Sequence, residues 1–242
     1  MGAQESRSSA KLGATNNLRE PQTAIPLGRV AHLTTLPGGN DARISTLSEP
    51  FGARATPPGE ISLKWRELQP QIEADLEEAA ACHAHAGACS EEVRRFLSLV
   101  AVGQRQHGRA QLGWINRAVN LSIRPMSDWA QYGFADVWTS PLQTLRSRAG
   151  DCEDYAIVKY AVLRELGFAP DDLRVVILED AQLHAEHAVV AVREDGNWLI
   201  LDNRTMAILR PEDTRQYRPL FVLNWETAQP IKTAAVDPVT GR

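Results

Sequence analysis

Residues 150–157 read Gly-Asp-Cys-Glu-Asp-Tyr-Ala-Ile, a single cysteine set among three carboxylates. A cysteine attacks a carbonyl carbon as a thiolate, and the free backbone N–H groups at a helix N-terminus favour that anion. Asp151, Glu153 and Asp154 oppose it, so Cys152 needs a base, a cation or both close by. His187 and Asp202 supply the remaining types for a Cys-His-Asp triad. In that scheme Cys152 attacks, His187 takes and returns the proton, and Asp202 fixes the imidazole tautomer and supports its charge. The Cys152 backbone N–H offers one oxyanion donor. Each residue also has a plain structural reading: a small buried hydrophobe, a hydrogen-bonded strand histidine, a turn-shaping aspartate.

The elements that must position these groups can be read from periodicity and punctuation. Ser140-Pro141 opens a short helix that stops before Gly150. Asp151 then reads as the N-cap of the next helix, with Asp154 at the capping-box position and Gly167 closing it after Leu166. Cys152 falls at the first helical position. Downstream the period changes to two over residues 173–178, 187–192 and 198–201, with a further strand over 221–225. Asp195-Gly196 is a hairpin signal. A hairpin centred there sets Val189 opposite Asp202 and puts His187 on the same face, diagonal to the carboxylate. A one-residue slip would separate the pair. Upstream, Pro70 opens a helix running to about Ala81, and Ser90 caps a second with the stripe Val93, Phe96, Leu97 and Val100. Leu112, Ile115 and Val119 mark a third. Helices first and an antiparallel sheet afterwards predict an α+β domain.

The chain of 242 residues with 43% hydrophobic content can bury one core, and residues 60–228 carry it. Residues 1–59, rich in Ser, Thr, Gly, Pro and Arg, read as a disordered extension, and residues 229–242 as a flexible tail. A net charge of −4 without a dense Lys/Arg stripe argues against nucleic acid as a partner. No apolar run approaches the roughly 18 residues of a membrane span, so the chain does not read as an integral membrane protein, and no signal peptide is visible. Cys82-His83-Ala84-His85 with Cys89 does not repeat a structural zinc spacing. A Cys82–Cys89 disulfide and free buried thiols both fit, with Cys152 left unpaired. Trp114, Trp129, Trp138 and Trp198 are expected in the core; Trp138 precedes the nucleophile helix.

Several linked runs are similar to one known family: Asn120-Leu-Ser-Ile, Asp136-Val-Trp-Thr-Ser-Pro, Gly150-Asp-Cys-Glu-Asp-Tyr-Ala-Ile-Val-Lys-Tyr, Glu186-His-Ala-Val and Leu201-Asp-Asn-Arg. Over residues 65–225 the chain resembles the bacterial transglutaminase-like cysteine proteinases, whose LapG-type members are periplasmic adhesin proteases. The resemblance implies a papain-like, transglutaminase-like core with Cys152 as nucleophile, His187 as base and Asp202 as third member. It also implies calcium dependence, with Asp151, Glu153 and Asp154 binding the ion, and a periplasmic location. The implied substrate is the N-terminal region of a large secreted or surface adhesin, cleaved to disperse biofilm, with an inner-membrane regulatory receptor as a further partner. A divalent cation would also neutralise the carboxylates that raise the thiol pKa, although calcium takes roughly 6 to 8 oxygens. The same triad serves transglutaminases and amidases, and the fold without turnover would be a calcium-responsive binding module.

Overall fold

The computed structural model describes residues 49–52, 59–85, 89–225 and 228–230. Most of the expected N-terminal extension and all but the first two residues of the expected tail lie outside them. Five helices come first: α1 (Glu60–His85), α2 (Glu91–Gln104), α3 (Gly108–Ser122), α4 (Asp128–Tyr132) and α5 (Pro141–Ser147). Two short strands, β1 (Arg124–Pro125) and β2 (Ala149–Gly150), are interleaved with these helices and pair in parallel. Then follow α6 (Cys152–Glu165), β3 (Leu173–Asp180), β4 (Ala185–Glu194), β5 (Asn197–Leu201), β6 (Ile208–Leu209), β7 (Tyr217–Leu223) and β8 (Ala228–Pro230). The last six form one antiparallel sheet in the order β6-β5-β4-β3-β7-β8. The fold is α+β, as the sequence predicts.

Helix α6 is the centre of the domain. Residues Glu153 through Leu163 are all buried, so the helix has no solvent face and its low amphipathicity follows. It packs on β3 and β4 on one side and on α1, α2, α3 and α5 on the other. Tyr160 lies edge-on to Trp65 and stacks on Trp225. Gly167, at φ 89°, ends the helix with Phe168 N–H donating to Leu163 O. The opposite face of the sheet carries a smaller cluster of Val176, Leu178, Val189, Ala191, Ile200, Tyr217 and Val222.

Helix α1 begins ten residues before Pro70, which lies inside it. The apolar stripe Trp65, Leu68 and Ile72 is buried, while Pro70 is exposed. A solvent-facing proline costs one backbone hydrogen bond that water can replace, and burial of the stripe outweighs it. Residues 49–52, expected within the extension, pack on the outer face of the sheet. Glu49 accepts from Arg174 Nε at 2.7 Å and Nη2 at 3.1 Å, and Phe51 covers the smaller cluster. Strand β7 starts four residues earlier than expected and ends at Leu223, because Trp225 leaves the sheet to reach Tyr160. Cys82 and Cys89 form a disulfide, and Cys152 is free. Trp114 and Trp129 are not core: they are 50% and 72% exposed, whereas Trp65 is fully buried.

Candidate active site

Cys152 is the first residue of α6, and Asp151 precedes it in an extended conformation. The Asp151 carboxylate does not cap the helix. It accepts instead from the Asp128 N–H at 3.3 Å. The β1–β2 pair causes this, since it lays residues 124–128 beside the start of α6, with Met126 N–H donating to Gly150 O at 3.0 Å. Asp154 does not act as a capping-box residue either. Its Oδ1 accepts from Thr139 N at 3.2 Å and Thr139 Oγ1 at 2.6 Å, which pins the loop carrying Trp138 to the helix. Two donors on one rigid loop satisfy that carboxylate better than a single N-cap amide.

The hairpin turns at Asp195 and Gly196, both at positive φ, and pairs Val190 with Leu201. That is the register which sets Val189 against Asp202. His187 Nε2 lies 2.9 Å from Asp202 Oδ1, both side chains fully buried. Asp202 Oδ1 also accepts from Arg204 N–H at 2.9 Å, and its Oδ2 from the Tyr217 hydroxyl at 2.6 Å. Asn120 Nδ2 donates to the Asp202 carbonyl at 3.0 Å. Burial alone would raise the Asp202 carboxyl, but the bonds from His187, Tyr217 and Arg204 outweigh it and hold the pKa near about 2. Among the described residues the other ring nitrogen, His187 Nδ1, is buried without a partner.

Cys152 and His187 together line two concavities. One, of ≈ 250 Å³, runs past Trp138, Ile61, Ile177 and Glu186. The other, of ≈ 400 Å³, runs past Met126, Asn203 and Arg204. A chain crossing the thiol therefore has room on both sides. The thiol is part-buried and donates to Glu153 Oε2 at 3.3 Å. Burial first, and then the Glu153 charge, push its pKa up, while the Ala188 amide partly offsets them. Glu153 is itself raised by burial and by Asp151. As it stands, the carboxylates suppress the thiolate.

Asp128, Asp151 and Glu153 each present a carboxylate oxygen within 4.8 Å of the others. Asp128 Oδ1 and Asp151 Oδ1 are buried with no hydrogen-bond partner among the described residues. Unpartnered, clustered, part-buried carboxylate oxygens are the donor set a hard divalent cation takes. Of the three acidic residues expected to hold an ion, Asp151 and Glu153 meet, together with Asp128, and Asp154 turns away to Thr139. Nothing local to Asp128 in the sequence signals this approach. Tyr217, whose hydroxyl donates to Asp202, carries no local sequence signal either. Lys159 carries a signal, as the one cation in the middle of a helix without a polar face. Trp138 packs against the edge of the core and also lines the cleft, and its Nε1 donates to Asp136 Oδ1 at 2.9 Å.

A lone thiol at a helix N-terminus beside a sheet-borne histidine is the arrangement of a cysteine peptidase on a transglutaminase-like fold. Residues 75–230 match the family model of the bacterial transglutaminase-like cysteine proteinases, and the chain belongs to that family. Among solved structures it is similar to calcium-bound LapG of Legionella pneumophila, at 25% identity over 67% of this chain and 88% of that one, with a TM-score of 0.53. A second Legionella pneumophila LapG structure matches at 24% identity, 66% and 87% coverage and a TM-score of 0.52. The EGTA-treated form gives 24%, 68% and 88%, and 0.53. A search of curated protein sequences gave no match.

Proposed function

We propose that this cysteine peptidase is a calcium-dependent endopeptidase in which Cys152, His187 and Asp202 form the catalytic triad. The observation that carries the reading is the fully buried His187–Asp202 pair, which occupies Nε2 and leaves Nδ1 without a partner among the described residues, on a histidine that lines the same two clefts as Cys152. Nδ1 takes the thiol proton, the thiolate attacks the scissile carbonyl, and the imidazolium returns the proton to the leaving amine. Water then hydrolyses the acyl-enzyme with the same base. Asp202, held ionised, stabilises the imidazolium throughout. The Cys152 N–H, free at the start of α6, is available to the developing oxyanion.

Asp128, Asp151 and Glu153 would hold the calcium, whose charge when bound neutralises the carboxylates that disfavour a thiolate. The calcium-bound and EGTA-treated forms of LapG support the choice of ion. Glu153 is the residue on which the thiol depends most. It accepts the thiol proton here, and coordination would remove both that acceptor and its charge. The proposed substrate is the N-terminal region of a large secreted or surface adhesin, processed in the periplasm to disperse biofilm and controlled by an inner-membrane regulatory receptor. The Cys82–Cys89 disulfide supports an oxidising compartment. Among the described residues no helix is long and apolar enough to cross a membrane.

The test is incubation of the purified protein with the N-terminal region of the adhesin, in calcium and in chelator, beside Cys152→Ala. Cleavage in calcium alone, abolished by Cys152→Ala, is expected. Incorporation of a primary amine without cleavage would assign the triad to acyl transfer instead, and a full cellular effect from Cys152→Ala would leave only a binding role.

A further inference from the structure

We propose that Tyr217 is a positioning residue of the reaction: its hydroxyl fixes the plane of the Asp202 carboxylate that holds His187. This rests on the triad reading above. Tyr217 opens β7, and β3 separates that strand from β4, where His187 lies. The tyrosine ring therefore crosses the outer face of β3 to reach the pair. It is 8% exposed, and it lies against the imidazole with centroids 5.7 Å apart and planes tilted by 52°.

The division of acceptors on Asp202 is the main argument. Oδ1 serves both His187 Nε2 and the Arg204 amide, whereas the Tyr217 hydroxyl is the partner of Oδ2. With bonds to Oδ1 alone, the carboxylate could pivot about its Cβ–Cγ bond and swing that oxygen off the imidazole axis. A bond to Oδ2 removes the rotation. Buried phenols usually need no more than a carbonyl, as Tyr155 illustrates by donating to Ile123 O at 2.6 Å. Tyr217 instead donates to an ionised oxygen, which makes a stronger bond and leaves a costlier vacancy when lost. The strand end itself is anchored, since Tyr217 N–H donates to Thr214 O at 2.9 Å and the Thr214 hydroxyl to Pro211 O at 2.7 Å.

The experiment compares wild type, Tyr217→Phe, Tyr217→Met and His187→Gln, all saturated with calcium and each checked for an intact thermal transition. Cys152 is the cysteine outside the disulfide, so its alkylation by iodoacetamide, followed by mass, reads thiolate formation without any substrate. Proton–nitrogen NMR of histidine-labelled protein reads the His187 Nε2–H bond directly. Loss of the Tyr217 donor is expected to slow alkylation on the order of tenfold. The low-field Nε2–H signal is expected to move upfield or to broaden by exchange. Alkylation and signal unchanged in both folded Tyr217 variants, with His187→Gln slow, would overturn the proposal and leave the triad standing. Alkylation unchanged in His187→Gln would sink the triad reading itself.

Discussion

Replacing Lys159 by methionine should make the protein more stable and less active. Lys159 is fully buried in the middle of α6. Burial lowers its pKa from 10.5 to about 7, against the attraction of Asp202, which raises it. At about 1.4 kcal/mol per tenfold change in proton affinity, that displacement corresponds to about 5 kcal/mol as an upper limit. Water penetration and relaxation reduce it, and a gain of about 1 to 3 kcal/mol for an apolar side chain of similar length is expected. Its pH dependence has a definite sign. Below about pH 7 both states carry the proton, and the folded protein bears the full cost of a buried ammonium. Between the folded value of about 7 and the unfolded value of 10.5 the unfolded chain binds more protons, so wild-type stability rises with pH. The advantage of Lys159→Met is therefore greatest below about pH 7 and shrinks through that window. Urea unfolding midpoints of the two proteins, measured across it, give the difference directly and cancel every other titration they share. A difference that does not change with pH, or a variant less stable at low pH, would refute the reasoning. Below about pH 7, where folded Lys159 carries its proton, activity should fall severalfold, because the charge that Lys159 directs at Asp202 is removed.

Gly150→Ala should be poorly tolerated. The added Cβ would lie 2.4 Å from Asp154 Oδ2 and 2.7 Å from Asp154 Cβ, so the melting midpoint should drop by the equivalent of about 1 to 3 kcal/mol. Asp128→Asn should weaken calcium binding on the order of tenfold or more in calorimetric titration, whereas Asp154→Asn should leave it within about threefold, because only Asp128 belongs to the carboxylate cluster. The Cys82–Cys89 disulfide closes a short loop, with a sequence separation of 7, and its reduction should cost about 2 to 3 kcal/mol of stability. Cleavage measured well below the melting range should not change, since neither cysteine lines the clefts around Cys152.

What could be read from the sequence was whatever a single turn or hairpin decides. Ser140-Pro141, the Gly150-Asp151 break and Gly167 bracket α6 and set Cys152 at its start. Asp195-Gly196 fixes the β4–β5 register, and with it the approach of His187 to Asp202, because turn chemistry and a period of two are local. Groups brought in from a distance left no such trace. Tyr217 reaches Asp202 across an intervening strand, and Asp128 reaches Asp151 through the two-residue parallel pair of β1 and β2. Pro70 misled for the opposite reason. A strong local breaker was overridden by the tertiary burial of Trp65, Leu68 and Ile72 around it.

The acidic run itself shows where local rules stop. Helical spacing would group Asp151 with Asp154, three residues apart on one face. Asp151, however, sits outside the helix at φ −105° and ψ −159°, so the helical period does not apply to it. Its carboxylate is free to swing toward α4 and meet Glu153 and Asp128, while Asp154, one turn in, is turned to the Thr139 loop. Three neighbouring carboxylates are thus divided between two tasks. Asp151 and Glu153 face the thiol and the space a cation would fill. Asp154, raised to about 7 by burial, holds the Trp138 wall of the cleft in place.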